Sequence, residues 1–204
     1  MKIRDLKKPL MVLGVVSAAW VPTGLVWATS TTMNATANFL AAIVLTPTSL
    51  QFGSIVYAGS PTTGSAGRAT MTTASGLTYD GAVFSAAPTP GTTAAGDIAI
   101  TASTGNAIQV ACSASGLLKN PGGTVGITVN TLKVAKLSAV GGGGVACTGS
   151  GNNVLSFTYT TGTDDHVKVG GILDASTLTG PLTGELYSTA NTGGSAITVV
   201  ITYV

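Results

Sequence analysis

Charge is the scarcest thing in this sequence. Of 204 residues only 8% are Asp, Glu, Lys or Arg, aromatic residues make up 5%, and there are two cysteines and a single histidine. So few basic residues leave no clustered patch to set against phosphates, which argues against a nucleic-acid partner. With one histidine, His166, no Ser-His-Asp order is persuasive, and no nucleophile elbow of the G-x-S-x-G type is present. His166 follows Asp164 and Asp165 in "GTDDHVKVGG", where neighbouring residues on a strand face opposite sides and an Asp-Asp pair suits a turn. The run of four glycines at 141–144 precedes neither a helix nor a lysine, so it is no phosphate cradle. Every acid stands in a turn-like context, which gives no converging pair for glycoside hydrolysis. The sequence favours no enzyme and asks for no metal and no small-molecule cofactor.

Much of the charge that exists is concentrated at the start. "MKIRDLKKPLMVLGVVSAAWVPTGLVWA" has a basic beginning (Lys2, Arg4, Lys7, Lys8), an apolar run from Pro9, and Val26 and Ala28 at small-residue cleavage positions. Residues 1–28 therefore read as a secretory signal peptide cut after Ala28. The competing reading is a permanent anchor, since the apolar run approaches the ~20 residues that span a bilayer. Pro22, Gly24 and the Val-Trp-Ala ending speak for cleavage. What remains has five bases (Arg68, Lys119, Lys133, Lys136, Lys168) and six acids (Asp80, Asp97, Asp164, Asp165, Asp174, Glu185), a net charge of −1. Both tryptophans, Trp20 and Trp27, belong to the leader. A mature chain without Trp has little material for sugar-stacking platforms or an interfacial membrane belt. In an oxidising compartment the even pair Cys112 and Cys147 reads as a disulfide, and no C-x-x-C spacing or nearby histidine supports a redox or metal site.

What is present in quantity is Gly, Ser, Thr and alternating apolar residues. These propensities favour strands and turns over helices, and short β segments recur between Gly, Pro, Asn and Ser clusters. The segments are "RATMTT", "LTYDGAVFSA", "GDIAITAS", "AIQVACSA", "TVGITVNTLKVAKL", "VLSFTYTT", "HVKVGGILDA", "GELYSTA" and the terminal "AITVVITYV". The expected fold is one all-β domain, a sandwich or barrel, over residues 39–204, since no half is large enough for its own core.

Two alternations stand out. Near the mature start, Met33, Ala35, Ala37 and Phe39 share a face with Ala41, Ile43 and Leu45, while Thr32, Asn34, Thr36 and Asn38 take the other. From Leu40 both faces become apolar, which predicts a one-faced arm over 29–38 leading into an interior strand that Pro47 ends. At the other end, Ile197, Val199, Ile201 and Tyr203 point one way. That last strand carries no charge, although unpaired strand edges invite pairing and are usually capped or charged.

At this point a resemblance enters. "TPTSLQFGSIV", with Leu50, Phe52 and Gly53, resembles the L-x-F-G-x-I segment that follows the first strand of bacterial fimbrial subunits. The ending, with Gly170 and Gly171 in V-G-G-x-L and the alternating last strand, is similar to a family of small secreted bacterial domains without assigned function. That family is similar in pattern to chaperone–usher pilins. The resemblance implies an immunoglobulin-like β-sandwich that lacks a strand and receives the N-terminal arm of the next subunit by strand addition. It implies a homopolymer at the cell surface, reached through the periplasm, with a periplasmic chaperone and an outer-membrane usher as further partners. Met33, Ala35, Ala37 and Phe39 would then be the donated side chains, and Ile197, Val199, Ile201 and Tyr203 the edge of the accepting groove. The alternative from a different class is a monomeric secreted adhesin or surface-layer binding module whose Gly-rich loops contact a partner.

Overall fold

Alternation of apolar and polar residues along short segments should give strands buried on one face, and it does so for most of the chain. The computed structural model describes residues 37, 39–81 and 83–204. The expected leader (1–28) and most of the expected arm, with Met33 and Ala35, lie outside the described residues. Residues Phe39–Val204 form one compact unit. Its strands are β1 (Val44–Thr48), β2 (Gln51–Phe52), β3 (Ile55–Tyr57), β4 (Arg68–Met71), β5 (Leu77–Asp80), β6 (Phe84–Ala86), β7 (Thr93–Ala94) and β8 (Gly96–Thr101). They continue as β9 (Ala107–Cys112), β10 (Gly116–Lys119), β11 (Gly126–Lys136), β12 (Val145–Ala146), β13 (Gly149–Thr158), β14 (His166–Asp174) and β15 (Val199–Tyr203). The protein is all-β, and its strands pair antiparallel.

A large sheet runs β1-β8-β14-β11-β10, with β4 and β5 carried on β14 and β12 on β11. A smaller sheet runs β13-β9-β15. Ile108 and Val110 of β9, Phe157 of β13 and Ile201 of β15 meet Ile98, Ile100, Val129, Val134, Val167 and Val169 of the large sheet in one buried cluster. The small sheet carries no charged residue in any of its strands.

The first strands are one bent edge. β1 pairs with β8, β2 with β7 and β3 with β6, so residues 44–57 follow 84–101 antiparallel with two kinks. At the second kink Gly53 has φ +67°, and a side chain there would run into the Pro90 carbonyl, so only glycine fits the bend. The expected buried strand from Leu40 onward is not found. Leu40, Val44 and Leu45 are 41%, 56% and 37% exposed, because β1 has a partner on one side only and is an edge strand. Nor does Pro47 end it, since β1 runs through to Thr48. The Ile100 N–H donates to the Asp165 carbonyl on the β14 side, so by antiparallel alternation Ile98, which faces Pro47, also turns its backbone groups to β14. Position 47 therefore needs no N–H for the ladder, the setting in which an edge strand tolerates proline.

"GELYSTA" is not a strand either. Residues 182–198 run irregularly beside β10, touching it at bridges Lys119↔Ser188 and Leu117↔Ser195 before β15 joins β9. Conversely, β10 itself, "GLLK", was not foreseen as a strand.

The disulfide is formed. β11 is bulged between Asn130 and Lys133, with Thr131 at φ +47°, and the bulge frees the Leu132 carbonyl to accept the Cys147 N–H at 2.8 Å. Cys147 is thereby set against Cys112 of β9 and bonded to it. The link ties the large sheet, through β12, to the small one.

Candidate functional site

The first and last strands are both edge strands, β1 of the large sheet and β15 of the small one. Between them lies a trough with two adjoining cavities. One, about 360 Å3, has Pro47, Thr48 and Leu50 on one bank and Ala196, Ile197 and Val199 on the other, over a floor of Phe52, Ile98, Leu118, Val129 and Val169. The second, about 750 Å3, continues between residues 49–57 and 182–188, over Phe84, Ile127 and Leu173. Leu50, Phe52, Leu118 and Tyr187 line both, so the cavities are one groove. Its floor is core: Val129 is 1% exposed, Ile127 2% and Ile98 8%. The bottom of the channel is thus the sandwich core itself, reached between two strand edges.

The two banks differ in their backbone chemistry. The Ser113 N–H donates to the Thr198 carbonyl, and the Val204 N–H to the Ala107 carbonyl. In an antiparallel pair such positions alternate, so Thr198, Val200, Thr202 and Val204 bond to β9. The N–H and C=O groups of Val199, Ile201 and Tyr203 therefore face away, toward the groove, and no described residue pairs with them. Pro47 on the opposite bank has no N–H to offer.

Electrostatically the groove is close to neutral. Two charged residues line it, Asp97 and Glu185. Asp97 is engaged by Lys168 Nζ at 2.8 Å and His166 Nδ1 at 2.9 Å. Burial pushes its carboxyl up, but the hydrogen bonds from Lys168 and His166 outweigh this and hold it below the usual carboxylate range. Glu185 Oε2 accepts from Thr183 Oγ1 at 2.8 Å and Asn120 Nδ2 at 3.2 Å. Among the described residues no group of three or more His, Cys, Asp and Glu is placed to hold a metal ion. His166 opens β14 and belongs to this ion-paired surface patch rather than to a turn.

The residues singled out from the sequence meet in part. Leu50 and Phe52 from the first motif line the same cavity as Val199, which opens β15, and Ile197, which precedes that strand rather than belonging to it as expected. Ile201 is buried and Tyr203 half-buried, alternating with exposed Thr198, Val200 and Thr202 as the period of two requires. These two extend the bank beyond the cavity. Gly170 and Gly171 lie beneath the groove in β14, where a Cβ on Gly170 would stand 2.5 Å from the Met71 carbonyl oxygen and 2.9 Å from Thr73 N. Gly170 serves the close approach of β4, and Gly171 leaves room for the Leu132 and Val129 side chains of β11. Ala37 is exposed, and Phe39 is 91% exposed, so the Phe39 ring is not packed on the sandwich it leads into. The floor residue Leu118 and the bank residue Tyr187 were missed. The turn-rich "KNPGGT" between β10 and β11 was the signal for the hairpin that carries Leu118.

Of the nine exposed large apolar residues among the described residues, Phe39, Leu40, Val44, Leu45 and Val56 lie along the first edge and its approach, and Leu186, Val200 and Val204 along the last edge and the segment before it. Only Val145 is elsewhere. Exposed apolar surface among the described residues is therefore concentrated along these two edges. No known family, no characterised protein and no solved structure matches the chain.

Proposed function

We propose that this chain is a secreted structural subunit of a cell-surface, fimbria-like filament, in which each copy receives the N-terminal arm of the next as an added strand. The observation that carries the reading is the groove: a largely apolar trough beside a row of unpaired backbone groups on β15. An added strand would bond to Val199, Ile201 and Tyr203 and lay alternate side chains on the floor.

The occupant is a second copy's residues 29–38, "TSTTMNATAN", with Phe39 following. That segment carries no charge, which suits a groove whose two charged residues are already satisfied. Its apolar face, Met33, Ala35, Ala37 and Phe39, has the period that a strand presents to a floor. Burying the exposed Phe39 ring alone would contribute about 2 kcal/mol. Donation to the chain's own groove would need a tight reversal at 39–43, "FLAAI", which has none of the Gly, Pro, Asn or Asp that reversals favour. Donation to a neighbour needs no reversal, and a head-to-tail contact that does not close on itself propagates as a filament.

The test compares the mature chain with a version lacking residues 29–38, by electron microscopy and size-exclusion chromatography. Filaments that vanish with the arm, and dissociated subunits that bind a synthetic 29–43 peptide, are the expected result. Monomers of equal stability in both preparations would overturn it and put the binding-module reading in front.

A further inference from the structure

Just before β1 the chain is caught by three hydrogen bonds. The Ala41 N–H donates to Ser103 Oγ at 2.8 Å, and the Ala41 carbonyl accepts from the Tyr203 hydroxyl at 2.9 Å. The same hydroxyl accepts from the Ser103 N–H at 2.7 Å. Ala41 is exposed, so these bonds form where water competes and where apolar packing offers little help. Two residues earlier Phe39 is free of the sandwich. At the far end of the trough a second tyrosine, Tyr57, donates to the Leu182 carbonyl at 3.4 Å, so a tyrosine hydroxyl spans the two banks at either end.

We propose that the Tyr203–Ser103–Ala41 clasp is the positioning device of the intersubunit joint, an inference that rests on the strand-donation reading above. Tyr203 lies on the strand that receives a neighbour's arm, and Ala41 lies at the root of the arm that is given. The clasp connects the two through one hydroxyl, so tension on the donated arm passes directly into the strand that holds the next arm. Without it, that path runs through β1, β8 and the core, and the root of the arm swings from Val44, where the ladder to β8 begins.

The experiment uses the full mature chain and two variants. Tyr203→Phe keeps the ring that packs against the core and removes the hydroxyl, and Ser103→Ala keeps Tyr203 and removes the acceptor for the Ala41 N–H. Hydrogen exchange on the monomer reads the clasp without any filament. Loss of a bond of ordinary net strength should speed exchange at the Ala41 amide about tenfold in either variant. Electron micrographs read the joint, and both variants should give filaments in wild-type amount with a shorter persistence length. Unchanged exchange, or filaments as straight as wild type despite faster exchange, overturns the inference while leaving strand donation intact. Absence of filaments from the wild-type chain itself overturns strand donation and the inference with it.

Discussion

Breaking the Cys112–Cys147 bond should cost this protein about 4 kcal/mol. The two residues are 35 apart in sequence, and closing a loop of that size in the unfolded chain removes entropy worth about that much at 25 °C. The backbone contact at the pair is kept by Cys112→Ala/Cys147→Ala, because Cys147 is set in place by its N–H on the Leu132 carbonyl, not by sulfur. Most of the effect should therefore appear through the unfolded state. In a unit of this size each kcal/mol moves the melting temperature by about 2–4 °C, so the midpoint should fall by about 8–16 °C. Thermal and urea unfolding of the oxidised chain, the reduced chain and the double variant measure it. Reduced and double-variant proteins should coincide. A loss under about 1 kcal/mol would refute the reasoning and mean that the unfolded chain is already compact around the pair. Cys112 stands opposite Val199 on the β9–β15 ladder, so the reduced protein should also bind the arm peptide less tightly.

The geometry fixes four further outcomes. Val199→Pro removes a donor from the groove side of β15 without touching a bond to β9, so the domain should fold with a midpoint within a few degrees of wild type yet fail to bind the arm peptide, as calorimetry would show. Gly170→Ala should cost roughly 2 kcal/mol or more in urea unfolding, and Gly171→Ala less, because the first meets backbone of β4 and the next turn while the second meets the side chains of Leu132 and Val129, which can give where backbone cannot. Asp97, Asp164 and Asp174 all sit below the usual carboxylate range: burial raises each, but Lys168 and His166, Lys136 and Ser138, and Ser176, Asn130 and Arg68 respectively outweigh it. Their contribution is then complete above the unfolded value near about 4 and lost as pH falls through the lower folded values, so urea midpoints should be level from neutral pH to about 5 and drop below about 4. Asp164→Asn should lower stability by about 2 kcal/mol at neutral pH and flatten that acid limb.

How far the fold could be read from the sequence depended on whether a segment's pattern had one physical explanation. Ile98 and Ile100, or Ile108 and Val110, alternate with small or polar residues and have one sensible arrangement, a strand with one face inward, and β8 and β9 are there. Residues 40–45 are apolar on both faces, a pattern shared by a strand buried on both sides and an edge strand beside an unfilled groove. The pattern records that apolar surface must be covered, not by which chain. β10 was hidden because its two leucines are adjacent and its strand is four residues long, too short for a period to show. "GELYSTA" was misread because Leu186 and Tyr187 look like strand residues, although their backbone runs free of β10 except near Ser188. Leu50, Phe52, Ile197 and Val199 were each visible as features of their own segments. That they face one another required the pairings of β1 with β8 and β15 with β9, which join positions far apart and leave no trace in local composition.

Pro47 gives the two banks of the trough unequal standing toward strangers. An extended segment approaching along β1 meets a gap in the row of donors midway, and any copy that tried to dock its own first strand there, back to back, would meet the same gap twice. Along β15 the row from Val199 to Tyr203 is unbroken. On the strand-donation proposal, this single imino acid keeps the apolar, uncharged first edge from joining the wrong neighbour and makes β15 the edge that holds an entering arm.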